Sequence, residues 1–219
     1  MERNLREMKD FVWKRKVNYI WERTLVKLVK PVVLFLVDTP ITPNMITFIN
    51  LLLCFPFVLW ACYLKNYFLI ALGIQLYAIL DVLDGNLARN KNMSSKLGKI
   101  LDYIADTLFY IIGYSAIGIA LELKILNIVG LIVIHQLYGL IATYYIVPSM
   151  RKVDKFNHTK LKKYFEDKGI IFGMDATLQC FITSILMLFP LRKYIFNICI
   201  ILWIVDLIYR IYELKWCNR

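Results

Sequence analysis

Apolar and polar positions in this 219-residue chain fall into long blocks rather than the short periods of a soluble domain. Apolar stretches of the length needed to cross a bilayer, about 20 residues, cover 44–64, 67–88, 97–121, 125–147, 170–189 and 194–211. They predict six transmembrane helices. Ahead of them Val17, Ile20, Trp21, Leu25, Leu28, Val32 and Leu36 recur at helical spacing, with Arg15, Lys16, Glu22, Arg23, Lys27 and Lys30 between. That period with a basic face predicts a helix lying on the membrane surface, the alternative being a short helix packed against the spans. The expected fold is an all-α integral membrane protein, six transmembrane helices preceded by an N-terminal amphipathic interfacial helix. Residues 1–38 would form a cytoplasmic N-terminus with its surface helix, and 39–219 one six-span domain. At their junction, Asp38-Thr39-Pro40-Ile41-Thr42-Pro43-Asn44 contains two prolines that cannot continue a helix, so the chain must bend there.

Composition agrees with this picture. The chain is 59% hydrophobic, with a mean hydropathy of +0.57, well above a soluble domain. Its first 30 residues are too charged for a cleavable signal peptide. Lys and Arg number nine in residues 1–30, four in 89–99, seven in 151–168 and three from Arg210 onward, leaving only Lys65, Lys124, Arg192 and Lys193 elsewhere. The positive-inside rule then puts both termini in the cytoplasm. The net charge of +11 sits at span ends rather than on a soluble face, which favours anionic lipid as partner over nucleic acid. Cys54, Cys62, Cys180, Cys199 and Cys217 form no C-x-x-C pair and read as structural thiols.

Against this apolar background, the 26 residues 81–106 hold four aspartates. Asp81 and Asp84 are three apart, Asp102 and Asp106 four apart, so each pair shares one face of its helix. Carboxylates at a membrane edge are costly unless neutralised. Four of them offer up to eight oxygens, a hard donor set suited to two divalent ions such as Mg²⁺ or Mn²⁺ and poorly suited to zinc. Gly85 and Ala88 leave room beside the acids, and Arg89 adds a forked cation fit for phosphate or carboxylate. Together these residues read as a metal-bridged phosphate site.

The full pattern, D-x-x-D-G-x-x-A-R-x8-G-x-x-x-D-x-x-x-D, resembles the signature of the CDP-alcohol phosphotransferases, with all eight fixed positions from Asp81 to Asp106 present. The resemblance implies transfer of a phosphatidyl group from CDP-diacylglycerol to a polar alcohol, with release of CMP. By it Asp81, Asp84, Asp102 and Asp106 bind two Mg²⁺ or Mn²⁺ ions, and Asp106 is also the catalytic base. Gly85, Ala88, Arg89 and Gly98 would line the nucleotide site. The segment from Thr42 to Thr47 is similar to a T-P-N lead-in found in many members, which adds Asn44 and Thr47 as nucleotide contacts, although Thr42 or Asn44 equally suits a helix cap. The resemblance further implies a homodimer, while the Lys and Arg distribution places the aspartate segment, like both termini, on the cytoplasmic side of the cell membrane. Donors such as CDP-choline, CDP-ethanolamine or a CDP-polyol stay open. Tyr103 stands where many members that accept glycerol phosphate carry Pro, which makes that acceptor less favoured, and serine, inositol phosphate, glycerol phosphate or another polyol stays open.

Other polar positions have two readings each. Arg151 and Lys152, just after the fourth span, either bind a phosphorylated acceptor or only satisfy topology. Asp175 either faces the cluster or sits in the first turn of a helix, where an acid is favoured without any ligand. His135 reads as a packing histidine rather than a catalytic one, and His158 as a solvated loop residue rather than an acceptor contact. Asp206 and Arg210 are spaced to pair. From another class, a divalent-cation transporter would also place acids in a membrane.

Overall fold

The computed structural model describes residues 11–12, 18–152, 158–171 and 173–216. Among these, helix α1 (Ile20–Val37) precedes α2 (Pro43–Tyr63), α3 (Tyr67–Asn90), α4 (Lys96–Ala120) and α5 (Ile125–Arg151). A short amphipathic α6 (Lys160–Asp167), then α7 (Ala176–Met187) and α8 (Pro190–Lys215) complete the chain. Two-residue segments β1 (Asn18–Tyr19) and β2 (Ile170–Ile171) pair in parallel.

Five of these helices, α2 to α5 and α8, are long and apolar enough to cross a membrane, among the described residues. The sixth expected span differs. Residues 170–171 are extended and α7 holds only 12 residues, about 18 Å at 1.5 Å per residue, against roughly 30 Å of hydrocarbon. The apolar run begins too early because Ile170 and Ile171 pair with the N-terminal segment instead of joining the helix. Gly169, at a φ of 74°, closes α6 in the left-handed conformation. Gly173 is fixed by space, since a Cβ there would lie 2.7 Å from Asp206 Oδ1.

Prolines shape two of the spans. Pro56 and Pro148 each follow a single π turn, Asn50–Cys54 in α2 and Ala142–Ile146 in α5. The wider turn accommodates a ring that removes one amide donor and crowds the preceding carbonyls. Thr42 caps α2 by accepting a hydrogen bond from Met45 N at 3.3 Å, with Pro43 in the first turn.

Helix α3 is the centre of the bundle, packed by α1, α2 and α7. Leu25, Val29 and Val33 of α1 and Ile70, Ile74 and Leu87 of α3 belong to one buried core. Small residues bring helices close: a Cβ on Gly73 would meet Val58 at 2.7 Å, and one on Gly118 would meet Ile128 at 2.6 Å. Large apolar side chains such as Leu52, Leu53, Phe68, Ile119 and Ile208 are exposed, as a lipid-facing belt requires. Helix α1 has two apolar stripes. Leu25, Val26, Val29, Val33 and Leu36 are buried in the bundle, while Ile20, Leu28, Val32 and Phe35 are exposed.

Candidate active site

The four aspartates come from two helices joined by a tight reversal. Asn92, at a φ of 55°, takes the left-handed conformation that ends α3, and Ser95 Oγ accepts from Gly98 N at 2.9 Å to start α4. The turn lays the two acid-bearing faces together. Carboxylate oxygens of Asp81, Asp102 and Asp106 lie within 4.8 Å of one another. Such a trio, made of oxygen only, has the donor chemistry of a hard divalent cation. Asp84 is not part of it. It is buried, and Thr47 donates a 2.6 Å hydrogen bond to its Oδ2.

Two cavities meet at this cluster. The first, about 160 Å³, is lined by Asn44, Thr47, Asp84, Gly85, Ala88, Arg89, Gly98 and Asp102, among others. All six residues expected at a nucleotide are in its wall. A Cβ on Gly98 would lie 2.9 Å from Asn44 Oδ1, so glycine is what lets the start of α2 approach α4. Gly85 has no left-handed backbone; a Cβ there would stand 3.5 Å from Arg89 Nη1, at the mouth of the cavity. The bend before α2 is held from outside by Lys91, whose ammonium donates to the carbonyls of Thr39 at 2.5 Å and Ile41 at 2.8 Å.

The second cavity, about 300 Å³, holds Asp81, Asp102 and Asp106 and shares Asp84, Gly85, Arg89 and Asp102 with the first. Its far wall is Tyr19, Glu22, Asn86, Asp175 and Thr177. Asp175 caps α7, accepting from Leu178 N at 3.1 Å and from Thr177 Oγ1 at 2.7 Å. It therefore both faces the cluster and starts a helix, combining its two sequence readings. Burial pushes the Tyr19 phenol above its usual range, against the neighbouring Arg210. Tyr77 donates to Asp106 Oδ1 at 3.4 Å. The sequence reading missed Tyr77, although it stands one turn before Asp81 on the same face. Tyr19, Glu22 and Thr177 left no such signal, because packing of α1 and α7 brings them in.

The remaining candidates lie elsewhere. Arg151 and Lys152 are exposed at the end of α5 and are absent from the walls of both cavities. His135 stacks on Tyr110 with 4.2 Å between ring centroids, and its Nδ1 meets Gln179 Oε1 at 3.0 Å, a satisfied packing residue. His158 departs from the loop expectation: it lies between Glu166 and Glu213, 3.3 Å from each, beside a buried Lys162–Glu213 pair. Folding α6 onto the end of α8 leaves it only partly exposed. Arg210 donates to Asp206 at 2.8 Å and to the Tyr19 hydroxyl at 2.5 Å. Cys62, Cys180 and Cys199 are buried free thiols and Cys54 is half-buried, while Cys217 lies outside the described residues.

A family model described as CDP-alcohol phosphatidyltransferase matches residues 40–207, a range that contains the whole aspartate segment, Asn44, Thr47 and Asp175. The chain belongs to the CDP-alcohol phosphatidyltransferase family. Within this family, it is 37% identical over 67 residues to a CDP-diacylglycerol–glycerol-3-phosphate 3-phosphatidyltransferase of Aquifex aeolicus (strain VF5), covering 31% of this chain and 37% of that protein. It is 32% identical over 93 residues to an uncharacterized protein of the same organism, covering 42% of this chain and 47% of that protein. The matches span less than half the length of either curated relative.

Proposed function

We propose that this phosphatidyltransferase-family protein transfers a phosphatidyl group from CDP-diacylglycerol to a polar alcohol and releases CMP. The observation that carries the reading is the pair of joined cavities: one walled by the six expected nucleotide contacts, the other by the acid trio, with Asp84, Gly85, Arg89 and Asp102 common to both. A donor seated across that shared wall would hold its pyrophosphate between Arg89 and the acids. A third cavity of about 460 Å³ is lined chiefly by apolar side chains including Ile20, Ile170, Leu178, Ile182, Leu202 and Val205, with Gly173 and Met174, the residues just before Asp175, also in its wall. Its chemistry suits an acyl chain and supports a lipid-linked donor over CDP-choline, CDP-ethanolamine or a CDP-polyol.

In this reading Asp81, Asp84, Asp102 and Asp106 hold divalent cations. The chemistry such cations supply, when bound, is neutralisation of the pyrophosphate charge during an in-line displacement. Arg89 clamps a phosphate oxygen with its planar fork. Asp106 takes the proton of the acceptor hydroxyl as the new oxygen–phosphorus bond forms and the bond to CMP breaks, and Tyr77 steadies its other face by donating to Oδ1. Thr47 keeps Asp84 turned to the nucleotide side. Clustering of Lys and Arg at one set of span ends supports a cytoplasmic active site and cytoplasmic termini, with the short α7 completing a sixth pass and α1 lying at the interface. A homodimer, as the resemblance implies, belongs to the same reading.

The test is to incubate the purified protein with CDP-dioleoylglycerol, Mg²⁺ and a panel of alcohols and to follow CMP. Release that requires both the alcohol and the metal is expected. Turnover of CDP-choline with diglyceride, and none of CDP-dioleoylglycerol, would replace the donor. A reading as cation transporter needs no nucleotide site, and predicts no CMP-dependent stabilisation.

A further inference from the structure

The lining of the acid chamber falls into two sets. The four motif aspartates and Arg89 are the groups that the transferase reading above commits to metal and pyrophosphate. Tyr19, Glu22, Asn86, Asp175 and Thr177 also line it and have no part in that commitment. Glu22 and Asp175 are carboxylates beyond the motif, one from α1 and one at the start of α7. Asn86 is 2% exposed; its Nδ2 donates to Val82 O at 2.6 Å, and its Oδ1 is buried without a hydrogen-bond partner among the described residues. A buried amide oxygen left without a donor is uncommon and marks a place for one. Carboxylates accept and cannot donate, so this wall asks its ligand for hydrogen-bond donors.

Charge points the same way. A phosphate monoester carries close to two negative charges near neutral pH, and it would approach Glu22 and Asp175 in a partly enclosed space where salt screens weakly. Arg89 is the cation lining the chamber among the described residues, and it also lines the nucleotide cavity. Arg210, behind Tyr19, is committed to Asp206 and the Tyr19 hydroxyl. Arg23 donates to the carbonyls of Lys168 and Gly169.

We propose that the acceptor is a hydroxyl compound without net negative charge, a polyol or amino alcohol rather than a phosphate ester, and that Glu22, Asn86 and Asp175 select it. Arg151 and Lys152 then serve topology. Asn86 accepts a hydrogen bond from a second hydroxyl of the acceptor while the attacking hydroxyl faces Asp106.

Protein purified in detergent with Mg²⁺ and CMP is titrated with matched pairs, glycerol against glycerol 3-phosphate, inositol against inositol 1-phosphate and serine against phosphoserine, and the melting temperature is followed. The same pairs are compared in CMP release from CDP-dioleoylglycerol. The neutral member is expected to bind at least about tenfold more tightly. Equal affinity, tighter binding of the phosphate ester, or stabilisation by neither overturns the proposal, whether or not CMP is released. Stabilisation by the neutral alcohol with no CMP release from any acceptor supports the selectivity and overturns the transferase reading instead. Asn86→Leu should raise the KM of the preferred alcohol about tenfold with kcat and CMP affinity little changed, the pattern of lost uniform binding. Asp175→Asn, which keeps the helix cap, combined with Glu22→Gln should narrow discrimination against the phosphate ester by a similar factor. Unchanged KM in the first variant and unchanged discrimination in the second would return these residues to structure alone.

Discussion

Thr47→Val tests how the first span is coupled to the acid cluster. The Thr47 hydroxyl has one proton and two acceptors in reach, Asp84 Oδ2 at 2.6 Å and Pro43 O at 3.3 Å. The shorter contact, to a carboxylate, takes it. Both side chains are buried, Thr47 at 7% exposure and Asp84 at 5%, and both line the first cavity. Hydrogen bonds to charged groups contribute about 1.5–3 kcal/mol, and valine keeps the shape of threonine while removing this bond. If that energy orients Asp84 for its ion, divalent affinity should fall about 10- to 150-fold, given roughly 1.4 kcal/mol per factor of ten. The range agrees with the roughly 10- to 100-fold typical of losing a group that orients a metal ligand. The assay is Mg²⁺-dependent CMP binding by calorimetry, with Thr47→Ser as the rescue, since serine restores the donor. Affinity in Thr47→Val within threefold of wild type would refute the coupling and reduce Thr47 to a packing residue.

Asp106→Asn should cut CMP release by about 10²- to 10⁴-fold, as loss of a positioned base does; a variant keeping over a tenth of the wild-type rate would remove the base role. Gly98→Val should abolish CMP binding while the protein still folds, because its side chain would enter the space held by Asn44 Oδ1, 2.9 Å from the Cβ position; calorimetry that detects wild-type affinity would show the cavity is not the nucleotide site. Lys91→Met removes the donor to the Thr39 and Ile41 carbonyls and should raise the KM for CDP-diacylglycerol severalfold, with Lys91→Arg partly restoring it; equal KM values in both variants would show that the bend before α2 needs no such clamp.

Much of this molecule could be read from the chain alone, because the properties concerned are local. Helical spans follow from runs of apolar side chains that must satisfy their own backbone in lipid. The acid site follows from spacing, since residues three or four apart share a helix face wherever the helix goes. The bend before α2 follows from Pro40 and Pro43. Tertiary structure decided what depends on meeting. Residues 170–171 read as part of a span, yet they pair with 18–19 and leave α7 only 12 residues long; hydropathy does not distinguish an apolar residue facing lipid from one pairing in an extended segment. His158 read as a solvated loop residue until α6 folded against Glu213. Asp81, Asp102 and Asp106 converge while Asp84 turns to Thr47, a division that equal residue types at regular spacing cannot express. Glu22 was one polar residue on an amphipathic helix, and Asn86 an unremarked position inside the motif. They share a wall because α1 packs on α3, and contacts made across helices distant in sequence leave no period in either one.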